Sequence, residues 1–464
     1  MCKSTQSDHN LFRILLYRND VTELLVEAKC DGLRLPAVPV PVHTRTSEQI
    51  STAIQRMWEL ETYCLFPLTV DNSSEISVIH QVVEAYRIDR HVPTGMRWLP
   101  LTALSAHAFE DSRDYEAKGK SIALLDQYRN GQLVGAFGKP EWFREVTAWV
   151  EALASAADLH LNGRFRQLNA CPTFSLLRFE TDGPAVWFKA VGEPNVNEYS
   201  ITLTLASTFP EFVPHILGSR KDWNAWLMLE AVGSELGANS SACAWETVAE
   251  NLAFLEIASL GRRFELIDAG SKDLRPWALY NLVDPFFDSM TELMERQTKP
   301  LPAPLSRDEL LALGLEIRSA LEELEAAGVP NTLGHLDMNP GNVVVSDPGC
   351  VFLDWAEAYV GPPFFSLEYL LQHWRRMRQE DPDAKPSLLS RYAKVWSRFA
   401  SSEQIATSFK LAPLLAAFAY AAGGVRWQRT ENIGSETASY LRSLVRRMKR
   451  EVDLLREGRL ECLP

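Results

Sequence analysis

The chain has 464 residues, more than one hydrophobic core organises, so two or three domains are expected. Its composition, 46% hydrophobic and 23% charged, is that of an ordinary globular protein. A formal net charge of −13 argues against nonspecific nucleic-acid binding and weakly favours a cationic small-molecule partner.

Seven scattered cysteines form no close pairs of the metal-binding kind, and no run of about 18 uncharged apolar residues suggests a membrane span. The start, "MCKSTQSDHNLFRILLY", lacks a secretory pattern, so a reduced cytoplasmic protein without a membrane partner is expected. Nothing in the composition specifies an oligomeric state.

"LFRILLYRND" and "VTELLVEAKCDG" read as two strands joined by an Arg-Asn-Asp turn. "TSEQISTAIQRMWELETYCL" reads as one helix capped by Thr46 or Ser47, with Ile50, Ile54, Met57 and Trp58 at helical spacing. "EISVIHQVVEAYRI" is strand-rich, and "GMRWLPLTAL" leads into a charged helix ending near "SIALLDQY"; residues 1–128 form a first domain. "RNGQLVGAFGKPEW" opens a linker, and Trp142, Val146, Trp149 and Val150 share one face of a connecting helix, over 129–160.

Three short strands follow, "GRFRQLN", "FSLLRFETD" and "AVWFKAV", then a helix "NEYSITLTLASTF" and a strand "DWNAWLMLEAVG" entering a hinge. These make a β-rich region over 161–235. Residues 236–464 read as helical, apart from "LGHLDMNPGNVVVSDPGCVFLDWAEA" with its strand–loop–strand character. The basic "LRSLVRRMKREVDLLREGRL" reads as a solvated terminal helix.

That strand–loop–strand segment carries the chemistry. Asp337 and Asn342 lie in one polar loop, and a hairpin folding back through Asp-Pro-Gly brings Asp354 beside Asn342. Carboxylate and amide oxygens suit magnesium, and a further carboxylate suits an acceptor hydroxyl, which is what phosphoryl transfer requires. Asp and Asn around Pro340-Gly341 also suit a plain turn, but that reading leaves Asp354 unexplained.

"HLDMNPGNVVV" and "VFLDWAEA" resemble the catalytic core of the aminoglycoside phosphotransferases and choline kinases, relatives of the protein kinases. The resemblance covers roughly 161–375 and implies an α+β, two-lobed protein-kinase-like fold, with a small β-rich N-lobe and a helical C-lobe. It implies ATP and Mg²⁺ as cofactors and a hydroxyl-bearing small molecule as acceptor. Asp337 would be the catalytic base, Asn342 and Asp354 the magnesium ligands, and His335 a brace for the loop. Lys189 would contact the α- and β-phosphates with Glu198 as its ion-pair partner, and backbone at Leu229 and Glu230 would face the adenine.

There are departures from the family pattern. Leu336 replaces the usual glycine, and Ser366 stands where an aspartate is common, able to cap the following helix. The phosphate-covering turn "NACPTFS" has no glycine, leaving Ala170, Thr173 and Ser175 to approach the phosphates. These departures keep open a second reading, a pseudokinase serving as a nucleotide-binding or scaffolding module.

The N-terminal region, "LRLPAVPVPVHTRTSEQISTAIQRMWELETYCL" with "GMRWLPLTAL", is similar in layout to a Nudix hydrolase, which implies an α/β/α sandwich. Glu48, Arg56 and Glu61 match the Nudix box, whereas Met57 and Leu60 replace acids and Val42 and Tyr63 replace glycines. A scaffold that has lost its hydrolytic metal site is the expectation, with a Nudix-type diphosphate hydrolase carrying an appended kinase-like domain as the alternative.

Overall fold

The computed structural model describes residues 9–18, 20–42, 44–69, 79–86, 92–132, 136–171, 174–347, 349–377, 384–424, 426–428 and 430–457. The chain divides into two units, residues 1–199 with 215–230, and residues 200–214 with 231–464.

Alternating apolar residues build the first unit. Strands β1 (His9–Arg18), β2 (Glu23–Lys29), β3 (Gly32–Arg34), β4 (Ala37–Pro41), β5 (Thr62–Thr69), β6 (Ile79–Ala85) and β7 (Met96–Pro100) form one sheet. Strand β1 runs parallel to β6 and antiparallel to β2 and β4. In β1, Ile14 and Leu16 face Ile50, Ile54 and Trp58 of helix α1 (Thr46–Trp58). Leu15 and Tyr17 face the other way, toward Ala117 and Leu125 of α2 (Ser112–Arg129). The sheet is thus covered on both faces.

The helix expected over 46–65 is shorter than its pattern suggests. It ends at Trp58, because Glu59 turns into left-handed backbone with φ 57 and the chain from Thr62 pairs with β6. Its N-cap is Arg45, without a side-chain cap bond, rather than Thr46 or Ser47.

Helix α3 (Trp142–Ala156) leads into β8 (Leu161–Cys171), β9 (Phe174–Thr181) and β10 (Val186–Val191), then α4 (Asn197–Thr208), β11 (Ile216–Arg220) and β12 (Ala225–Leu229). The five strands form an antiparallel sheet in the order β11-β12-β10-β9-β8. Leu177, Phe179, Phe188, Ala190 and Leu227 on one face share a single core with Trp142, Phe143 and Val146 of α3 and with Leu15 and Tyr63 of the first sheet. Phe143 lies 4.8 Å from Tyr63 and 4.4 Å from Phe165 between ring centres. The connecting helix is therefore the common filling of two sheets. Gln167 adds a polar tie: its Oε1 accepts from the Cys64 amide at 2.6 Å and its Nε2 donates to the Cys64 carbonyl at 2.9 Å.

The second unit is mostly helical. After β13 (Ser234–Glu235) come α5 (Ala242–Ala258), α6 (Arg263–Asp268), β14 (Lys272–Asp273), α7 (Pro276–Glu295) and α8 (Arg307–Ala327). Then follow β15 (Thr332–His335), β16 (Val343–Val345), β17 (Cys350–Phe352) and β18 (Ala358–Gly361). Helices α9 (Phe364–Met377), α10 (Ala384–Trp396), α11 (Ser402–Ala422) and α12 (Ser435–Arg456) complete it. The strands form two small sheets, β13-β16-β17 and β14-β18-β15.

Two helices differ from the sequence expectation. Helix α11 is long and apolar enough to cross a membrane by length and composition, but 67% of that window is buried inside the protein, where Leu414, Leu415 and Phe418 join the core. Helix α12 is not simply solvated. Leu441, Leu444, Val445, Met448 and Val452 bury one stripe against α7, α8 and α11, which fixes where its arginines project.

Candidate active site

All four residues of β15 are buried, and Gly334 is required there: a Cβ would come within 2.1 Å of the Tyr359 ring. The His335 amide donates to Ser366 Oγ at 2.8 Å, and Ser366 Oγ lies 3.2 Å from the Tyr359 hydroxyl. Ser366 sits inside α9 and is fully buried, so it anchors the loop backbone instead of capping that helix as expected.

His335 links two parts of the loop. Its Nδ1 accepts from the Asp337 amide at 3.0 Å, which leaves the ring proton on Nε2 to be donated to the Leu353 carbonyl, also at 3.0 Å. Its ring packs 4.8 Å from Trp355. Leu336 donates its amide to the Glu357 carbonyl at 3.1 Å and buries its side chain. It is not among the described residues with positive φ, so losing glycine there strains nothing.

Asn339 caps a tight turn over Pro340–Asn342, accepting from the Gly341 amide at 3.2 Å. That turn aims Asn342 back at Asp337. Its Nδ2 donates to both the carbonyl and Oδ2 of Asp337 at 3.1 Å, so Oδ1 is the end left to meet a cation. The expected hairpin forms, with Val343 opposite Phe352 and Val345 opposite Cys350, closed by Ser346 and Gly349. The Leu353 amide donates to the Asn342 carbonyl at 2.8 Å, so Asp354 follows the residue paired with Asn342. Asp354 takes left-handed backbone, φ 61 and ψ 67, and its side chain does not cap the turn after it.

The first unit holds the remaining residues singled out in the sequence. Lys189 Nζ donates to Glu198 Oε1 at 2.6 Å, with both side chains buried. Ser175 is fully enclosed between β8 and β10, and among the described residues its hydroxyl has no hydrogen-bond partner. Ala170 is buried in the core beneath α1, and Thr173 lies outside the described residues.

Two of the backbone groups expected to face the base, the amides of Leu229 and Glu230, are engaged elsewhere. The Leu229 amide donates to the His215 carbonyl and the Glu230 amide to the Ala185 carbonyl, both at 2.9 Å, so neither donor is left for a base. The Glu230 side chain accepts from Arg178 Nε at 2.7 Å and from Trp187 Nε1 at 3.1 Å. The Arg178 bonds hold its carboxyl below the ordinary range, against the opposing effect of burial.

The Nudix-type constellation does not form. Helix α1 stops before Glu61, which is exposed, and Glu48 is bound by Arg166 Nε at 2.8 Å. Among the described residues no three His, Cys, Asp or Glu side chains gather as a metal site.

A cavity of about 540 Å³ opens beside Asp337 in the second unit, with Leu336, Tyr369 and Tyr420 in its walls. Arg446, Arg447 and Arg450 of α12 and His373 and Arg376 of α9 also line it. Burial, and then Arg376, hold His373 below its ordinary pKa, whereas Asp337 acts the other way. The signal for these arginines was present in the basic tail, but sequence alone did not reveal that the tail returns to the catalytic loop.

Residues 210–400 match the model of the phosphotransferase enzyme family. This segment is similar to that family's phosphotransferases. Solved structures similar to the chain include Plasmodium vivax ethanolamine kinase, 13% identical, covering 74% of this chain and 96% of that one with a TM-score of 0.48. The choline kinase LicA from Streptococcus pneumoniae is 14% identical, with 68% and 99% covered and a TM-score of 0.42. The macrolide 2'-phosphotransferase MphH from Brachybacterium faecium is 18% identical, with 63% and 99% covered and a TM-score of 0.39. No curated protein matches the chain. The matched segment contains the whole of the His335–Asp354 assembly described above.

Proposed function

We propose that this protein transfers the γ-phosphoryl group of ATP to a hydroxyl of a small molecule, with Asp337 as the base. The observation that carries this reading is the joint fastening of Asp337, Asn342 and the residue before Asp354, by one histidine and one side-chain amide. As the acceptor oxygen bonds to the γ-phosphorus, its proton passes to the Asp337 carboxylate. The bond from the γ-phosphorus to the β,γ-bridging oxygen breaks, and nucleoside diphosphate leaves.

Asn342 Oδ1 and the Asp354 carboxylate are hard oxygen donors, which is the chemistry a magnesium ion selects. Bound there with phosphate oxygens and water, the ion would offset the negative charge of the phosphates. Lys189 would hold phosphate oxygens, kept in place by Glu198; a lysine and glutamate buried together at 2.6 Å support that assignment.

Asp337→Asn preserves the side-chain shape and removes the base. Nucleoside diphosphate release with an accepted substrate is expected to fall by about 10²-fold or more, while the thermal shift produced by Mg·ATP persists. Turnover undiminished in Asp337→Asn overturns the base assignment. A Mg·ATP shift in the wild type without transfer to any acceptor favours the nucleotide-binding module instead.

A further inference from the structure

The charge of the whole chain favours a cationic acceptor, but the cavity beside Asp337 has the opposite character. Among the described residues lining it, Asp337 is the lone acid, against four arginines. Their pairings matter more than their number. Arg447 is neutralised: its Nη2 lies 3.4 Å from Glu368 Oε1, its Nε lies 3.8 Å from Glu451 Oε1, and its Nη1 donates to Gln372 at 2.6 Å. Glu368 also serves Arg375 at 3.1 Å, so that carboxylate is already shared between two guanidinium groups.

Among the described residues the other three form no ion pair of this kind. Arg446 donates to neutral acceptors, Gln297 Oε1 at 2.6 Å and the Ala303 and Pro302 carbonyls at 3.1 and 3.2 Å. Arg376 and Arg450 are exposed at the cavity, and among the described residues neither they nor Arg446 has a carboxylate within ion-pairing distance. Three guanidinium groups around one cavity, facing a single carboxylate, form an oxyanion site.

The cavity is also separable from the place proposed for the nucleotide's tail, because it takes Asp337 as lining but neither Asn342 nor Asp354. One wall is aromatic, with Tyr420 at 5.5 Å from Tyr369 and 6.3 Å from Tyr440 between ring centres. A volume of about 540 Å³ is within the range that encloses a whole small molecule.

Resting on the reading of Asp337 as the base, we propose that the acceptor is an anionic hydroxyl compound. Its phosphate or carboxylate group is held by Arg376, Arg446 and Arg450 while its free hydroxyl meets Asp337. The reaction is the transfer already described, from ATP to the acceptor hydroxyl, and the anionic group itself takes no part in bond making. A cationic amine in this cavity would face three arginines against the single carboxylate of Asp337 among the described lining residues.

The test uses the full chain with Mg·ATP and follows nucleoside diphosphate release. Acceptors are matched sets on shared scaffolds: glucose 6-phosphate and gluconate against glucose and glucosamine, and glycerol 3-phosphate and glycerate against glycerol and choline. The expected result is a kcat/KM at least tenfold higher for an anionic member than for its uncharged or cationic counterparts. Phosphate and carboxylate members then show which oxyanion is bound.

Arg450→Gln and Arg376→Gln should each raise the KM for that acceptor by about tenfold with a smaller change in kcat, and Arg450→Glu should reduce or reverse the charge preference. Transfer confined to neutral or cationic acceptors overturns the anionic assignment and leaves the phosphotransferase reading standing. If no acceptor turns over, the same compounds are titrated calorimetrically against Asp337→Asn. Saturable binding of the anions, lost in the Arg376→Gln/Arg450→Gln background, upholds the anion site although transfer has failed; no anion binding overturns it.

Discussion

Asp354 holds φ 61 and ψ 67, a conformation in which an L side chain is crowded by its own backbone. In most positions glycine is less stable than alanine by about 0.5–1 kcal/mol, but a left-handed site reverses that order. Asp354→Gly and Asp354→Ala both remove the proposed magnesium ligand, so both are expected to lose transfer. Their stabilities should differ, with the glycine variant more stable than the alanine variant by about 1 kcal/mol in chemical denaturation. Equal stabilities would mean that the left-handed turn is not retained in solution. The carboxylate is thus kept at a backbone position that glycine would fill with less strain, which is the pattern of strain held at functional sites.

Helices α5 and α10 are joined by a buried carboxyl. Glu256 is fully enclosed, and its Oε2 accepts from the Tyr392 hydroxyl at 2.5 Å and from Trp396 Nε1 at 3.2 Å, while Oε1 has no partner among the described residues. Burial pushes its pKa well above the usual 4.5, outweighing the two hydrogen bonds, which act downward. A raised folded-state pKa means that the folded chain binds the proton more tightly than the unfolded chain. The stability from this group is therefore complete below about 4.5 and declines as pH rises toward the folded-state value. Glu256→Gln keeps an acceptor for Tyr392 and Trp396 but cannot ionise. Its stability relative to the wild type should increase as pH rises above 4.5, measured by denaturant unfolding across a pH series. A difference that stays flat with pH would refute a protonated Glu256.

Other elements differ in how far sequence exposes them. The hairpin that leads to Asp354 was legible because its geometry is local: a turn over Pro340–Asn342 aims Asn342 at Asp337, and Val343 pairs with Phe352 across a short connection. The end of α1 was not, since Glu59 turns left-handed without glycine to announce it. Backbone groups near Leu229 and Glu230 were expected to face a base, and the partners that engage their two amides, the carbonyls of His215 and Ala185, come from separate stretches of chain that the sequence does not pair. Ser366 was read as a cap, although its hydroxyl serves the backbone of a residue 31 positions earlier. Arg446, Arg447 and Arg450 beside Asp337 are more than 100 positions away in the chain, and the packing of α12 on its apolar stripe brings them there.

At the scale of the molecule, the N-terminal sheet is built into the core of the β-sheet that carries Lys189. Phe143 packs against Tyr63 on one side and Phe165 on the other, and Leu15 and Phe188 belong to the same cluster. A chain truncated to 141–464 would expose that side of α3 and of β8. Net folding stabilities are only about 5–15 kcal/mol, so losing half of a shared core should unfold the second sheet. Dye binding to exposed apolar surface and loss of near-ultraviolet circular dichroism are the expected readouts. A truncated chain that remains monomeric and fully ordered would mean that the two sheets fold independently.

Strand β5 is the outermost strand of its sheet, and an outermost strand carries backbone groups that no further strand of that sheet satisfies. At Cys64 the side-chain amide of Gln167 occupies both positions that an incoming peptide would use, one as acceptor and one as donor. A single glutamine imitates one residue of a strand that is not there. At that position the border is closed to recruitment by a strand of another copy.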